Sequence, residues 1–293
     1  MSDSNPAPAG AVQARVARLF VYPVKSCAGV ELRDVVLTEA GVDLDRAWMV
    51  VDAEGEFVSQ RELPRMALIR PQLKTFEIIL RAPGMLALHL AIDAVEQPTR
   101  ARVWDDEVPA YDMGDVAAQW FSDFLGRPLR LVRFDPEHRR LSSPRWTGGV
   151  EALNQFSDGF PLLVLGEASV DELNRRLLAA GEAEVGIERF RPNLVLSGIE
   201  AHDEDHLDEL RIETPQGQAR LRLVKPCPRC SIPNIDPATA IARPAVSDAL
   251  QVYRQDPRVD GAVSFGMNAI VVQGDGFALA VGQAVDADYR FAD

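Results

Sequence analysis

The chain of 293 residues is 47% apolar and 26% charged, a composition that suits one large globular domain or two small ones packed together. Its formal net charge of −13 argues against a nucleic-acid surface, which has to neutralise phosphates, yet leaves room for one small anion in a locally basic pocket. No run of about 18 apolar residues occurs, so no membrane-spanning helix is expected, and three cysteines make no disulfide framework and point to a reducing cytoplasm.

Residues 1 to 11 lack the basic and apolar stretches of a secretory signal and are expected to form a disordered tail. From residue 12 the sequence predicts mostly strands. ARVARLFVYPVKS, GVELRDVVLTEAG, RAWMVVDAEGEFVSQ and FEIILRAPGMLALHLA are rich in Val, Leu, Ile and aromatics and are divided by Gly, Pro and Asp turns. DVAAQWFSDFLGRP predicts an amphipathic helix with Val116, Trp120 and Leu125 on one stripe and Gly126 as its stop. The polar stretch LVRFDPEHRRLSSPRWTGG is expected as a linker or flexible loop. FPLLVLGEASVDELNRRLLAAG predicts a buried strand and then a helix, with Ser169 as N-cap, Glu172 three residues on and Gly181 as C-cap. FRPNLVLSG, DELRIETPQGQARLRLVKP and NAIVVQGDGFALAVGQAV return to strands, and VSDALQVYRQDPR adds a helix. The expected architecture is two β-rich halves, barrel or sandwich, with a few helices.

LVKPCPRCSIPNIDPA, residues 223–238, carries the chemistry. Only three of the 31 basic residues are lysine, and two of these, Lys25 in VKSC and Lys225 in VKPC, stand two residues before a cysteine. Either this is chance among few lysines, or both segments bring a point charge to one site. A redox dithiol of the thioredoxin kind needs a helix after its first cysteine, and Pro233 and Pro237 oppose one at about 3 kcal/mol each. A zinc site needs two further ligands, from Cys27 or from His202 and His206 of HDEDH. That stretch has the composition of a solvated acidic turn (Asp203, Glu204, Asp205, Asp208), and Lys225 and Arg229 oppose a dication. A four-thiolate cluster is excluded by the cysteine count. What remains is one reactive or metal-bound thiolate in a proline-stiffened loop, favoured by Lys225 and Arg229, with two buried cysteines acting as small hydrophobes as the alternative.

The combination of motifs is more specific than the CxxC alone. VYPVKSCAGVEL, GVDLDRAWMVVD and QRELPRMALI resemble the N-terminal β-barrel domain that precedes MOSC domains, and FRPNLVLSG with VKPCPRCSIPNIDPATA resembles the MOSC domain itself. The likeness runs from about residue 12 to 288 and is strongest to the amidoxime-reducing component family and its bacterial counterparts. It implies a β-rich α/β fold, with an N-terminal β-barrel-like domain over 12–140 packed on a MOSC β-barrel domain with a few helices over 146–290.

The resemblance also implies a molybdenum cofactor enzyme that reduces N-hydroxylated compounds. Cys230 matches the family's metal ligand and is the expected catalytic position. Pro228 and Arg229 match cofactor contacts, Lys25, Ser26 and Arg46 match phosphate or pterin contacts, and Arg191 and Asn193 match a further pterin pair. Cys27 matches no ligand and is expected to be structural. Gly159 and Phe160 stand where relatives place Thr-Ser, so two hydroxyls are missing there. Asp236 is a candidate proton relay or, alternatively, a turn cap. No ferredoxin-like domain follows, so electrons are expected from a separate electron-transfer protein of ferredoxin, flavodoxin or cytochrome type with its reductase. The implied partner is a small N-hydroxylated substrate, without a nucleic-acid surface or membrane span. The competing reading is a non-redox molybdenum-cofactor carrier or sulfur-handling protein in which Cys230 bears a persulfide.

Overall fold

A computed structural model describes residues 11–95 and 97–290. All but the last residue of the tail expected over 1–11 lies outside the described residues. The structure is rich in strands, as read from the alternating Val, Leu and Ile segments. Seven strands close into a barrel, in the order Leu162–Gly166, Leu194–Ser197, Ala11–Val21, Ala284–Tyr289, Leu207–Thr214, Gly217–Pro228 and Ala262–Gln273. Leu162–Val164 pairs with Met267–Ala269 to complete the ring. Alternate residues point inward, so Leu19, Leu196, Leu210, Leu221, Met267 and Val285 fill the interior.

The first strand of the chain lies inside this barrel, between Leu194–Ser197 and Ala284–Tyr289. Asp34–Thr38 likewise pairs with Ala278–Ala280. Strand pairing therefore crosses twice between the two stretches of sequence read as separate domains. The chain leaves the barrel at Val21 and builds a second unit. It contains an antiparallel sheet of Trp48–Val51, Arg130–Phe134, Asp106–Asp112 and Gln97–Val103, and a three-stranded sheet of Arg70–Leu73, Glu77–Arg81 and Leu88–Ala91. Helix α1 (Gly114–Leu125) closes its core through Trp120, Phe121 and Phe124, against Trp48, Ile78 and Leu80.

Four α-helices are described: α1, α2 (Pro144–Thr147), α3 (Glu167–Ala179) and α4 (Ala245–Gln251). In α1, Trp120 and Leu125 are buried but Val116 is 77% exposed, because the buried face runs through Ala117, Ala118, Phe121 and Phe124 instead. Gly126 ends the helix in the left-handed conformation, as its position predicts. Helix α3 begins at Glu167 rather than after Ser169. Ser169 lies in its first turn, where its hydroxyl donates to Glu204 at 2.8 Å instead of capping.

The stretch expected as a flexible linker is anchored. Arg140 is buried and donates to Asn154 Oδ1, Gln155 O and Ser157 O at 2.6–2.8 Å, and to Asp106. Four acceptors on one planar fork fix the loop 154–158 that leads into the barrel.

Candidate functional site

A cavity of about 210 Å³ opens where the second unit meets the barrel. All eight residues singled out from the sequence line it: Lys25, Ser26, Arg46, Arg191, Asn193, Pro228, Arg229 and Cys230. Gly159, Phe160 and Lys225 line it as well. Both lysines that precede a cysteine therefore reach one cavity.

The turn after the first barrel strand positions Lys25 and Ser26. Lys25 donates its backbone N–H to Trp48 O at 2.8 Å, and its ammonium donates to Phe156 O at 2.7 Å and to Asp158 at 2.5 Å. Burial pulls the Lys25 ammonium below its ordinary pKa, against the raising effect of Asp158. Asp158 shows the converse. Enclosure alone would raise it, but the ammonium overrides this and holds it well below the carboxylate range, although 69% of its side chain faces open space. The Trp104 indole N–H also donates to Asp158, at 3.0 Å.

Arg46 and Arg191 lie over the ring of Tyr22, their guanidinium carbons 4.4 and 4.3 Å from its centroid. The ring fits because residue 29 is glycine; a Cβ there would come within 2.4 Å of it. Arg46 donates to the buried Asp45, to Asn193 Oδ1 at 3.2 Å and to Arg191 O at 3.2 Å. Arg191 donates to Cys27 O at 2.6 Å, and its other terminal nitrogen is buried without a protein partner. Burial, then the neighbouring Arg46, lower the Arg191 pKa to about 10. Asn193 has both ends of its amide engaged: Oδ1 accepts from Leu163 N and Arg46, and Nδ2 donates to Phe20 O. It acts on the cavity by holding Arg46.

Ser26, Arg46 and Arg191 share one further property. Each has positive φ, 66°, 51° and 59°, a conformation few non-glycine residues adopt. Three such residues around one cavity is the clustering expected where side chains are aimed for binding.

The cysteine loop leaves the barrel at the end of Gly217–Pro228. Cys230 is exposed, Cys227 is half-buried and Cys27 is fully buried. Burial pushes the Cys27 thiol up to about 12, which makes it an inert structural residue. Arg229 donates to Cys227 Sγ at 2.9 Å and to Phe190 O at 2.7 Å, while its Nε is buried without a partner. Pro233 lies in a short 3-10 turn, Ile232–Asn234, so no α-helix follows the CxxC. Asp236 does not line the cavity: it accepts the backbone N–H groups of Ala238 and Thr239 and pairs with Arg189 at 3.0 Å. It is a turn cap.

HDEDH is not a solvated turn. Glu204 and Asp205 are buried, and only His206 of the two histidines is exposed. His202 packs on the rings of Tyr253 and Phe265, and its backbone N–H donates to Ser169. Among the described residues no three His, Cys, Asp or Glu converge as metal ligands, so the HxxxH and CxxC halves of a zinc site do not meet.

Arg61, Asp158 and Phe57 also line the cavity and were not singled out from the sequence. Arg61 stands in the quoted QRELPR, but a motif match does not say which of its charges turns inward. Counting Lys25, Arg46, Arg61, Arg191, Lys225 and Arg229, the wall carries six cationic side chains against the single carboxylate of Asp158.

Residues 13–128 match the model of the MOSC N-terminal beta barrel domain, and residues 152–286 match that of the MOSC domain. The human mitochondrial amidoxime-reducing component 1 is 37% identical over 257 residues, covering 83% of this chain and 73% of that protein. The rat mitochondrial amidoxime reducing component 2 is 33% identical over 257 residues, covering 83% and 74%. Human molybdenum cofactor sulfurase is 29% identical over 270 residues, covering 86% of this chain and 29% of that protein.

Proposed function

This chain belongs to the MOSC family, in the branch that carries the MOSC N-terminal β-barrel domain, and on that premise we propose that it is a molybdenum-cofactor-dependent reductase of N-hydroxylated compounds, fed with electrons by a separate protein. The observation that carries the reading is the exposed Cys230 thiol on the wall of a cavity with six cationic side chains and one carboxylate. The donor set fits a phosphate-bearing pterin. Arg191 and Arg229 each keep a buried nitrogen with no protein acceptor, and these are the groups an anionic or carbonyl-bearing ligand would satisfy.

In this reading Cys230 ligates the metal, since a soft thiolate suits it. Lys25, Ser26 and Arg46 hold the phosphate, and Arg191, Pro228 and Arg229 contact the pterin, with Asn193 positioning Arg46. The bound cofactor supplies a two-electron centre able to accept oxygen from nitrogen. Overall the N–O bond breaks, two electrons and two protons enter, and water leaves with the reduced nitrogen compound. Lys25 and Arg46 take the anionic end, and the Tyr22 ring against Arg46 and Arg191 holds both guanidinium groups in place before a ligand arrives.

The test is molybdenum content and turnover with an artificial electron donor and an N-hydroxylated substrate. Near-stoichiometric molybdenum with donor consumption only when substrate is added is expected, both lost in Cys230→Ala. A Cys230→Ala protein that keeps metal and activity overturns it. The exposure of Cys230 also suits a carrier that bears a persulfide there; cofactor binding without substrate-dependent donor consumption would favour that second reading.

A further inference from the structure

Two carboxylates pair with cations of the cavity, and they are held differently. Asp45, beside Arg46, is 4% exposed and accepts the Tyr22 backbone N–H at 2.8 Å, so it is part of the fold. Asp158, 2.5 Å from the Lys25 ammonium, keeps 69% of its side chain exposed. Besides Lys25, its carboxylate takes one further donor among the described residues, the Trp104 indole N–H at 3.0 Å. If the pair parts, Lys25 stays, because it is buried and Phe156 O still accepts from it at 2.7 Å. Asp158 is the partner free to leave. Arg140 fixes the loop as far as Ser157, and Gly159 follows.

Trp104 stands at the tip of the hairpin between Gln97–Val103 and Asp106–Asp112, whose two-residue loop is Trp104–Asp105. Its φ is 55°, and a first loop position with positive φ ordinarily goes to glycine. A bulky aromatic there has to be held by contacts outside the hairpin. Phe57 meets the indole edge to face at 5.0 Å between centroids, the Arg61 guanidinium lies 4.7 Å from the ring, and the N–H goes to Asp158. Phe57, Arg61 and Asp158 all line the cavity, so the indole ties the hairpin tip to its mouth.

We propose that Asp158 is an internal stand-in for the anionic group of the ligand: it occupies Lys25 until a ligand arrives, keeps simple oxyanions such as free phosphate off the site, and yields to a ligand fastened at further points. Trp104 is the positioning residue that holds it there. The inference rests on the reading that Lys25 and Arg46 take the anionic end. A simple anion gains at Lys25 only what Asp158 already supplies, and the displaced carboxylate repels it. A phosphate carried on a larger body meets the same repulsion, but Arg191 and Arg229 offer that body nitrogens with no protein acceptor, which offsets it. Selectivity then comes from a built-in competitor rather than from a tighter fit.

The experiment titrates the cofactor-free full chain with inorganic phosphate by calorimetry at low ionic strength. Asp158→Asn is expected to bind phosphate at least fivefold more tightly than wild type. Asp105→Asn removes an equal charge from the exposed neighbour of Trp104 and should change the affinity less than twofold. Trp104→Phe keeps a ring but loses the N–H. It should tighten binding about twofold in the wild-type chain and add nothing in the Asp158→Asn chain, because it acts through that carboxylate. Equal affinity in wild type and Asp158→Asn, or an equal rise in Asp105→Asn, overturns the proposal. A Trp104→Phe effect that persists without Asp158 overturns the role given to the indole. Lys25→Met, made in the Asp158→Asn chain, should abolish the gain, and a gain that survives it defeats the placement of the anionic end at Lys25. Unaltered phosphate affinity in Asp158→Asn, with molybdenum still lost from Lys25→Met, leaves that placement intact and defeats the stand-in alone.

Discussion

Glu204 is a carboxyl group with no exposed surface, and replacing it by glutamine should change the pH dependence of stability. Burial, then the neighbouring Asp205, raise its pKa from 4.5 to about 7, with only the Ser169 hydroxyl and nearby backbone amides opposing. At about 1.4 kcal/mol per pH unit, ionising it in the folded state costs about 3 kcal/mol. The sign follows from the raised value. The folded chain holds this proton more tightly than the unfolded chain, so the stability it contributes is complete below about 4.5 and lost as pH rises through about 7. His202 nearby works the other way. Burial and then Arg254 lower its pKa from 6.5 to about 4, so its contribution is present above 6.5 and lost as pH falls through 4. The residue as a whole is half-buried, which discounts that contribution to about 1–2 kcal/mol. Around the cluster, Asp205 pairs with Arg254 at 2.5 Å and Asp256 with Arg258 at 2.7 Å. The two titrations partly cancel in the wild-type protein, and Glu204→Gln leaves His202 alone. Thermal unfolding of both proteins at pH 5 and pH 8 reads the effect. Going to pH 8 should move the Tm of Glu204→Gln relative to wild type upward by about 5 °C, taking about 2 °C per kcal/mol for a chain of this size. The comparison cancels any misfit of the amide itself. An identical Tm difference at both pH values refutes the reasoning.

Three further outcomes are expected. Arg191→Lys keeps the charge but not the planar fork that reaches Cys27 O and still presents a free nitrogen; bound molybdenum per chain should fall several-fold by elemental analysis while the Tm moves little. A thiol reagent at pH 8 should label Cys227 and Cys230 in the folded, cofactor-free protein and Cys27 only after denaturation, because Cys27 is buried with its pKa near 12; three fast-reacting thiols would contradict that packing. Arg140→Ala strands three buried or half-buried oxygens, of Asn154, Gln155 and Ser157, and should cost about 3 kcal/mol, visible as a Tm lower by about 6 °C.

What the sequence disclosed and what it withheld divide along the range of the interactions. Strands, the helix stop at Gly126 and the non-helical cysteine loop depend on neighbouring residues, and these were legible. The αL conformations of Ser26, Arg46 and Arg191 were not, since none is glycine and each is held by contacts distant in sequence. HDEDH shows the limit plainly. Its composition is that of a wet turn, yet Ser169 and Arg254, 35 and 49 residues away, take Glu204 and Asp205 into the interior. Trp104 and Asp158, 54 residues apart, meet at the cavity mouth for the same reason. Val116 failed as a core residue because an apolar residue in a helix says only that some face is buried. The eight residues that the motifs singled out line one cavity because the order of motifs along the chain encodes long-range geometry that spacing alone does not.

The cavity also explains how a chain of net charge −13 presents a positive site. A cation in a fold needs both orientation and compensation, and different groups supply them. Here orientation comes mainly from backbone carbonyls: Phe156 O for Lys25, Arg191 O for Arg46, Cys27 O for Arg191 and Phe190 O for Arg229. A carbonyl orients a guanidinium less strongly than a carboxylate does, but it carries no net charge, so the positive field survives. Only Asp45 and Asp158 neutralise, one for Arg46 and one for Lys25. The lowered pKa values of Lys25 and Arg191 record the cost of gathering cations in a space with little water. An anion entering that space relieves the cost, so ligand binding draws on energy the fold already holds against itself. Replacing any of those carbonyl contacts by a carboxylate would make a more comfortable protein and a poorer site.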